Sequence, residues 1–162
     1  MRLVLADSNE IVRIGLRTVL SSERAIEIVG EARSSNELLE IVKAFPTDLV
    51  MIDYTSAHFS IDVIPQLLQK YPSLKVVAIT PDQSAQTLVN ALRSGVKSYV
   101  KKDCDSQEII TSVKETGRGN KFFCGQILET IRDASIDVND MDFDSFTCEP
   151  ISLSERELEI IT

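Results

Sequence analysis

An α/β fold, built on a doubly wound five-stranded parallel sheet with helices on both faces, is what this sequence predicts. Three observations carry that expectation. Five short runs rich in β-branched residues alternate with five stretches whose apolar residues recur at helical spacing. The central runs are apolar throughout, as strands buried on both faces are. The connections are short, and strands alternating with helices imply a parallel sheet.

Residues 2–6 (Arg-Leu-Val-Leu-Ala) form the first strand and lead into Asp7. Ser8 or Asn9 can cap a helix that carries Ile11, Val12, Gly15, Leu16, Val19 and Leu20. A second strand spans Ala25 to Ala32, with Ile26, Ile28 and Val29 partly alternating. Ser34 and Glu37 have capping-box spacing before Leu38, Leu39, Ile41, Val42 and Phe45, and Pro46 closes that helix.

The third strand, Leu49-Val50-Met51-Ile52, ends on Asp53. Ligands of open parallel sheets bind at the carboxyl ends of the strands. Asp53 therefore either stands at the mouth of a site or merely starts a turn, as Asp often does. Ser60 can cap a third helix through Ile64, Leu67 and Leu68 if Pro65 falls in its first turn.

Lys75 to Thr80 is the fourth strand, and Gln83 to Ser94 the fourth helix, with Gly95 at its C-terminal cap. Ser98 to Lys102 is the fifth strand. Asp105 and Glu108 open a fifth helix that stops near Gly117 and Gly119. Handedness of the crossovers leaves few topologies, and the flavodoxin-like order suits five strands at this size.

Composition narrows the function. The 162 residues, 43% hydrophobic, suit one domain with a tail. No apolar run approaches the ~20 residues of a membrane span, and no signal peptide precedes the first strand. Cys104, Cys124 and Cys148 have no CxxC spacing and read as free thiols of a reducing, cytoplasmic compartment. The single His58 cannot build a His-based metal site and reads as a loop residue.

The net charge of −8 is concentrated late. Residues 126–150 hold seven acids against one base, whereas residues 1–125 are neutral and show no basic footprint for nucleic acid. The acidic stretch reads as a linker. Its Asp140, Asp142 and Asp144 do not make a calcium loop, because the sixth position lacks Gly and the twelfth is Ile151.

The strand ends Asp7, Asp53, Thr80 and Lys102 should converge on one sheet edge. Two carboxylates with loop oxygens can hold Mg²⁺. A carboxylate beside Mg²⁺ and a Lys suits phosphoryl acceptance, which needs mainly positioning and charge neutralisation. A nearby Thr hydroxyl can bond a new phosphoryl oxygen. Lys101 should point away from Lys102 and read as a solvated charge.

Over residues 1–120 these features resemble the receiver domain of two-component response regulators, NarL/FixJ (LuxR-type) class, with its CheY-like fold. The resemblance rests on Leu5-Ala6-Asp7, Ile11-Val12-Arg13-x-Gly15-Leu16, Pro46-x-Asp48-Leu49-Val50-Met51-Ile52-Asp53, Ala91-Leu92-x-x-Gly95 and Tyr99-Val100-x-Lys102-Asp103. It implies Asp53 as phosphoacceptor, Thr80 and Tyr99 as switch residues, and Lys102 as the phosphate-pairing amine. It implies Mg²⁺ held by Asp7, Asp53 and the Thr55 backbone carbonyl, with Ser8 a further candidate ligand.

The implied partners are a sensor histidine kinase, meeting the first helix around Ile11, Ile14 and Gly15, and a second copy on activation. No enzymatic turnover is implied, and the first strand is followed by Ser8-Asn9-Glu10 rather than a Gly-rich phosphate loop.

Beyond residue 120, residues 121–134 (Phe122, Phe123, Ile127, Leu128, Ile131) are expected to form an extra helix, and 135–150 the acidic linker. Leu153-Ser154-x-Arg156-Glu157 resembles the opening of a LuxR-type helix-turn-helix. Residues 151–162 stop before a recognition helix, so the chain reads as truncated and DNA binding would require the complete domain.

Three positions depart from the family pattern. Ser8 replaces a second acid, Ser56-Ala57 replaces Met-Pro, and Ser98 replaces Gly. Without the second acid Mg²⁺ should bind more weakly. The alternative is a phosphate-independent receiver acting as an interaction or dimerisation module.

Overall fold

The computed structural model describes residues 1–133. The proposed linker and helix-turn-helix opening, with Cys148, lie outside the described residues. The chain runs β1 (Arg2–Ala6), α1 (Glu10–Leu20), β2 (Glu27–Ala32), α2 (Ser35–Ala44), β3 (Leu49–Ile52) and α3 (Val63–Lys70). It continues through β4 (Lys75–Thr80), α4 (Ala85–Arg93), β5 (Ser98–Lys101), α5 (Ser106–Gly117) and α6 (Gly125–Asp133).

The sheet is five-stranded, in the order β2-β1-β3-β4-β5, and every pair is parallel. This is the doubly wound, flavodoxin-like order. The central strand β3 is buried at all four positions, as its unbroken apolar run requires. The order reverses direction between β1 and β3, so the crevice between their carboxyl ends is the switch point where such folds bind ligands.

Local chemistry explains most boundaries, and some differ from expectation. Asn9 caps α1, its side chain accepting from the backbone N–H groups of Ile11 and Val12. Ser34 caps α2, but Glu37 completes only half a capping box: its carboxylate takes the N–H of Arg33 at 2.6 Å.

The third helix starts later than its sequence suggests. Ser60 instead closes the preceding turn, taking the N–H of Asp62, and Pro65 falls in the first turn of α3, where its missing N–H costs nothing.

Helix α4 is capped by Ser84. It ends in a Schellman arrangement, with Val96 N–H on the carbonyl of Ala91 and Gly95 N–H on that of Leu92. Gly95 has φ +113°, which a residue with a side chain adopts only under strain, and an added Cβ would also push on the tip of Leu68.

The sixth helix begins at Gly125, after Phe122 and Phe123. Those two residues run alongside β5: Tyr99 N–H donates to the carbonyl of Phe122 at 3.0 Å, and Phe123 pairs with Tyr99 in a parallel bridge. A fully buried Phe123 on the outer edge of β5 extends the core rather than the helix. Among the described residues no helix is long and apolar enough to cross a membrane.

Candidate functional site

Three strands deliver the charged groups. The N–H of Asp7 donates to the carbonyl of Ala32 at 3.1 Å and the N–H of Asp53 to that of Ala6 at 3.0 Å, so both acids leave the sheet still locked to the neighbouring strand. Lys102 follows β5 rather than ending it, and its N–H donates to the carbonyl of Thr80 at 2.8 Å. The acids are 1% exposed.

The Lys102 ammonium lies 2.6 Å from Asp53 Oδ2 and 2.7 Å from Asp7 Oδ2. Burial works against that charge, yet the two carboxylates outweigh it and hold the Lys102 pKa above the usual lysine range. One cation thus neutralises two buried anions that would otherwise repel.

The remaining carboxylate oxygens are used locally. Asp53 Oδ1 accepts from the Thr55 N–H at 2.9 Å and its hydroxyl at 2.5 Å, and Asp7 Oδ1 accepts the Asn9 N–H at 2.8 Å. Asp7 Oδ2, although beside Lys102, makes no hydrogen bond of good geometry. A buried carboxylate oxygen held by an ion pair alone keeps lone-pair capacity for a hard cation that shares it with Lys102.

The other donors are few: among the described residues no group of three or more acids, histidines or cysteines is placed to hold a metal. Ser8 is partly buried and contributes its N–H to Ser56 Oγ at 3.3 Å, while Ser56 Oγ donates to the carbonyl of Asp53 at 2.9 Å. The donor set fits Mg²⁺ with two carboxylates and most of its shell left to water.

Beside this ionic cluster lies a chain of hydroxyls. Thr80, fully buried, bonds the carbonyl of Pro81 at 2.8 Å and the hydroxyl of Tyr99 at 2.9 Å. Tyr99 is itself fully buried, not half-buried as a strand aromatic would be by default. Its hydroxyl also meets that of Tyr54 at 2.7 Å, and Tyr54 reaches the carbonyl of Thr87 in α4 at 3.3 Å; three hydroxyl protons serve these four contacts, so one contact at a time goes without a proton. The two rings pack edge to face, 6.2 Å apart. Burial is the largest cause holding both phenols above the usual tyrosine range; the mutual bond raises Tyr54 further, and the Asp53 charge raises both.

The predicted Asp7, Asp53, Thr80, Tyr99 and Lys102 therefore converge. Thr55 contributes its side chain and N–H to Asp53. Lys101 is a correction: its side chain is only 13% exposed and pairs with Asp82 at 3.3 Å, so it is held rather than solvated. His58 is exposed in the loop and offers its carbonyl to the Ser35 N–H.

Two contributors are given no site role by the sequence. Arg13, buried on the core face of α1 with Leu16 and Leu20, donates to the carbonyl of Asp7 at 2.7 Å and pairs with Glu31 at 3.2 Å. A base on an apolar helical stripe was its available signal. Tyr54 had none, since an aromatic after an apolar strand is ordinary.

A five-stranded sheet in this order, with paired acids, an amine and a hydroxyl at its carboxyl edge, defines a receiver-type signalling domain. The sequence model of the response regulator receiver domain matches residues 3–114, and the chain belongs to that family. Response regulator protein VraR of Staphylococcus aureus is 29% identical over 162 residues, covering 99% of this chain and 74% of VraR.

Among solved structures, a LuxR-family two-component response regulator from Aurantimonas superposes with TM-score 0.77 at 22% identity, covering 84% of this chain and 98% of that one. The receiver domain of the putative response regulator NarL from Mycobacterium tuberculosis gives 0.69 at 25% identity, covering 74% and 97%.

Proposed function

We propose that this chain is the phosphoacceptor receiver of a two-component transcriptional regulator, taking a phosphoryl group from a sensor histidine kinase on Asp53. The observation that carries the reading is the Lys102 ammonium between Asp53 and Asp7, at 2.6 and 2.7 Å, in the crevice where the sheet order reverses. Asp53 Oδ2 is the attacking oxygen; an O–P bond forms as the P–N bond of the kinase phosphohistidine breaks, and the imidazole keeps the electron pair. Lys102 then faces the phosphoryl oxygens while staying beside Asp7.

Mg²⁺, held by Asp7, Asp53 and the Thr55 carbonyl, would neutralise phosphoryl charge. Ser8 can add only a neutral oxygen, so occupancy needs higher Mg²⁺ than a site with a third carboxylate.

Thr80 must exchange Tyr99 or Pro81 for a phosphoryl oxygen, which links acceptance to the α4–β5 face. Dimerisation through that face, and DNA binding through a complete helix-turn-helix, follow as the output; a structural neighbour, 20% identical, is described as two RcsB dimers bound to two parallel DNAs. The kinase-facing surface is α1, where Ile11 is 75% and Ile14 41% exposed. The setting is cytoplasmic.

Intact mass after incubation with acetyl phosphate and Mg²⁺ tests the reading, with Asp53→Asn as control. One phosphoryl adduct, absent from the control, is expected. No adduct at saturating Mg²⁺ favours the phosphate-independent interaction module, for which Ser8 and the engagement of Thr80 by Tyr99 already speak.

A further inference from the structure

We propose that Tyr54 is a positioning residue that separates the movement of Thr80 from that of Tyr99, keeping the Tyr99 ring inside the fold when the Thr80 hydroxyl leaves it. This deepens the proposed function, since it rests on Thr80 being the hydroxyl that turns toward Asp53.

The argument starts from what a buried phenol requires. Tyr99 is 0% exposed, and its hydroxyl has two partners, Thr80 at 2.9 Å and Tyr54 at 2.7 Å. With Thr80 alone, departure of that hydroxyl would strand a buried polar group, and relief would require the ring to swing outward. With Tyr54 in place, one partner remains.

Tyr54 is well fixed for the task. It follows Asp53 directly, is 5% exposed, and has its own second partner in the carbonyl of Thr87. The edge-to-face packing of the rings holds the two hydroxyls in register.

Tyr54 also ties α4 to the same point, because Thr87 lies in its first turn. The position of Tyr99 thus becomes a property of the Tyr54–Thr87 anchor. Thr80 can then answer Asp53 while Tyr99 and the first turn of α4 stay tied together, and what the exchange alters at the α4–β5 face is the hydrogen bonding of the Tyr99 hydroxyl.

The test runs without phosphate, so its failure and the failure of Asp53 as acceptor are distinguishable. Thr80→Ala imitates the departed hydroxyl, and Tyr54→Phe removes the second partner while keeping the ring. The full chain is labelled with 3-fluorotyrosine in wild type, both single variants and the double variant, and the Tyr99 resonance is assigned by its absence in Tyr99→Phe. Exposure is read from the H₂O/D₂O isotope shift of that resonance, with circular dichroism and urea unfolding to establish that each variant is folded.

Each single variant should leave Tyr99 as protected as in wild type. The double variant should raise its exposed population by roughly tenfold or more, as expected for a stranded buried hydroxyl. Equal protection in all four proteins overturns the proposal, as does exposure in Thr80→Ala alone matching the double variant. Should the double variant unfold, Thr80→Val with Tyr54→Phe removes the same hydroxyls with the side-chain volume kept, and Tyr99 must become exposed there but not in Thr80→Val alone.

Discussion

The carboxyl edge of the sheet has two halves built from different physics. Toward β1 and β3 stand Asp7 and Asp53, two buried carboxylates balanced by one ammonium whose own side chain is 23% exposed. Toward β4 and β5 run Thr80, Tyr99 and Tyr54, neutral hydroxyls bonded in series and almost wholly buried. The ionic half is strong, long-ranged and answers to charge. The hydroxyl half is short-ranged and answers to geometry, since each bond is worth only about 1 kcal/mol net. Under the proposed function, a change of charge in the first half is answered by a change of hydrogen-bond partner in the second.

Removing the shared cation strikes the ionic half hardest. Lys102→Ala leaves two buried anions facing each other, and urea unfolding should show a loss of about 2 kcal/mol, below the usual cost for a fully buried pair because water already reaches the amine. Millimolar Mg²⁺ should recover part of that loss in the variant. Unchanged stability would show that solvent, not Lys102, already balances the acids.

Restoring a third carboxylate sharpens the same half. Ser8→Asp should tighten Mg²⁺ binding on the order of tenfold, by adding a charged ligand to Asp7 and Asp53. Without Mg²⁺ it should cost about 1 kcal/mol through like-charge repulsion. Isothermal titration with Mg²⁺ and unfolding with and without the ion read both effects. An unaltered affinity would place the cation away from position 8.

The contrast also explains what the sequence made legible. Continuous apolar runs such as Leu49–Ile52 announce buried parallel strands, and their terminal residues Asp7, Asp53, Thr80 and Lys102 announce the edge they share, because strand direction alone brings them together. Ionic groups stand out against such runs. Tyr54 did not, since its role depends on where Tyr99 points, and Tyr99 lies where Phe123 returns from beyond α5 to pair with β5. Nor did the late start of α3, where Ser60 and Asp62 compete as caps and only packing of Val63 and Ile64 decides. Charge and period are local signals; partner choice among buried hydroxyls is a tertiary one.

A double-mutant cycle separates the halves energetically. Tyr54→Phe and Tyr99→Phe should be coupled by about 0.5–1.5 kcal/mol, the worth of one shared hydrogen bond. Asp53→Asn with Tyr99→Phe should be additive within about 0.5 kcal/mol, because these two side chains share no hydrogen bond. Strong coupling in the second cycle and none in the first would mean that Tyr99 senses charge directly and that the hydroxyl chain is incidental.

Alkaline pH acts on both halves with the same sign, and only variants tell them apart. Lys102, Tyr54 and Tyr99 all have folded pKa values above their ordinary ones. Each therefore keeps its proton in the folded state at a pH where the unfolded chain has begun to lose it, near 10 for tyrosine and 10.4 for lysine. Stability should be flat with pH below about 9 and fall beyond 10, by up to 1.4 kcal/mol per pH unit for each proton retained only on folding. Tyr54→Phe with Tyr99→Phe removes the hydroxyl share and should make the fall shallower, leaving the part that belongs to Lys102. Asp53→Asn should shorten that remaining fall, since loss of the nearer carboxylate brings the folded Lys102 pKa closer to its unfolded value. If the double phenylalanine variant falls as steeply as wild type, the tyrosines ionise freely at the surface of a loosened fold, and the hydroxyl half does not hold together in solution as a buried chain.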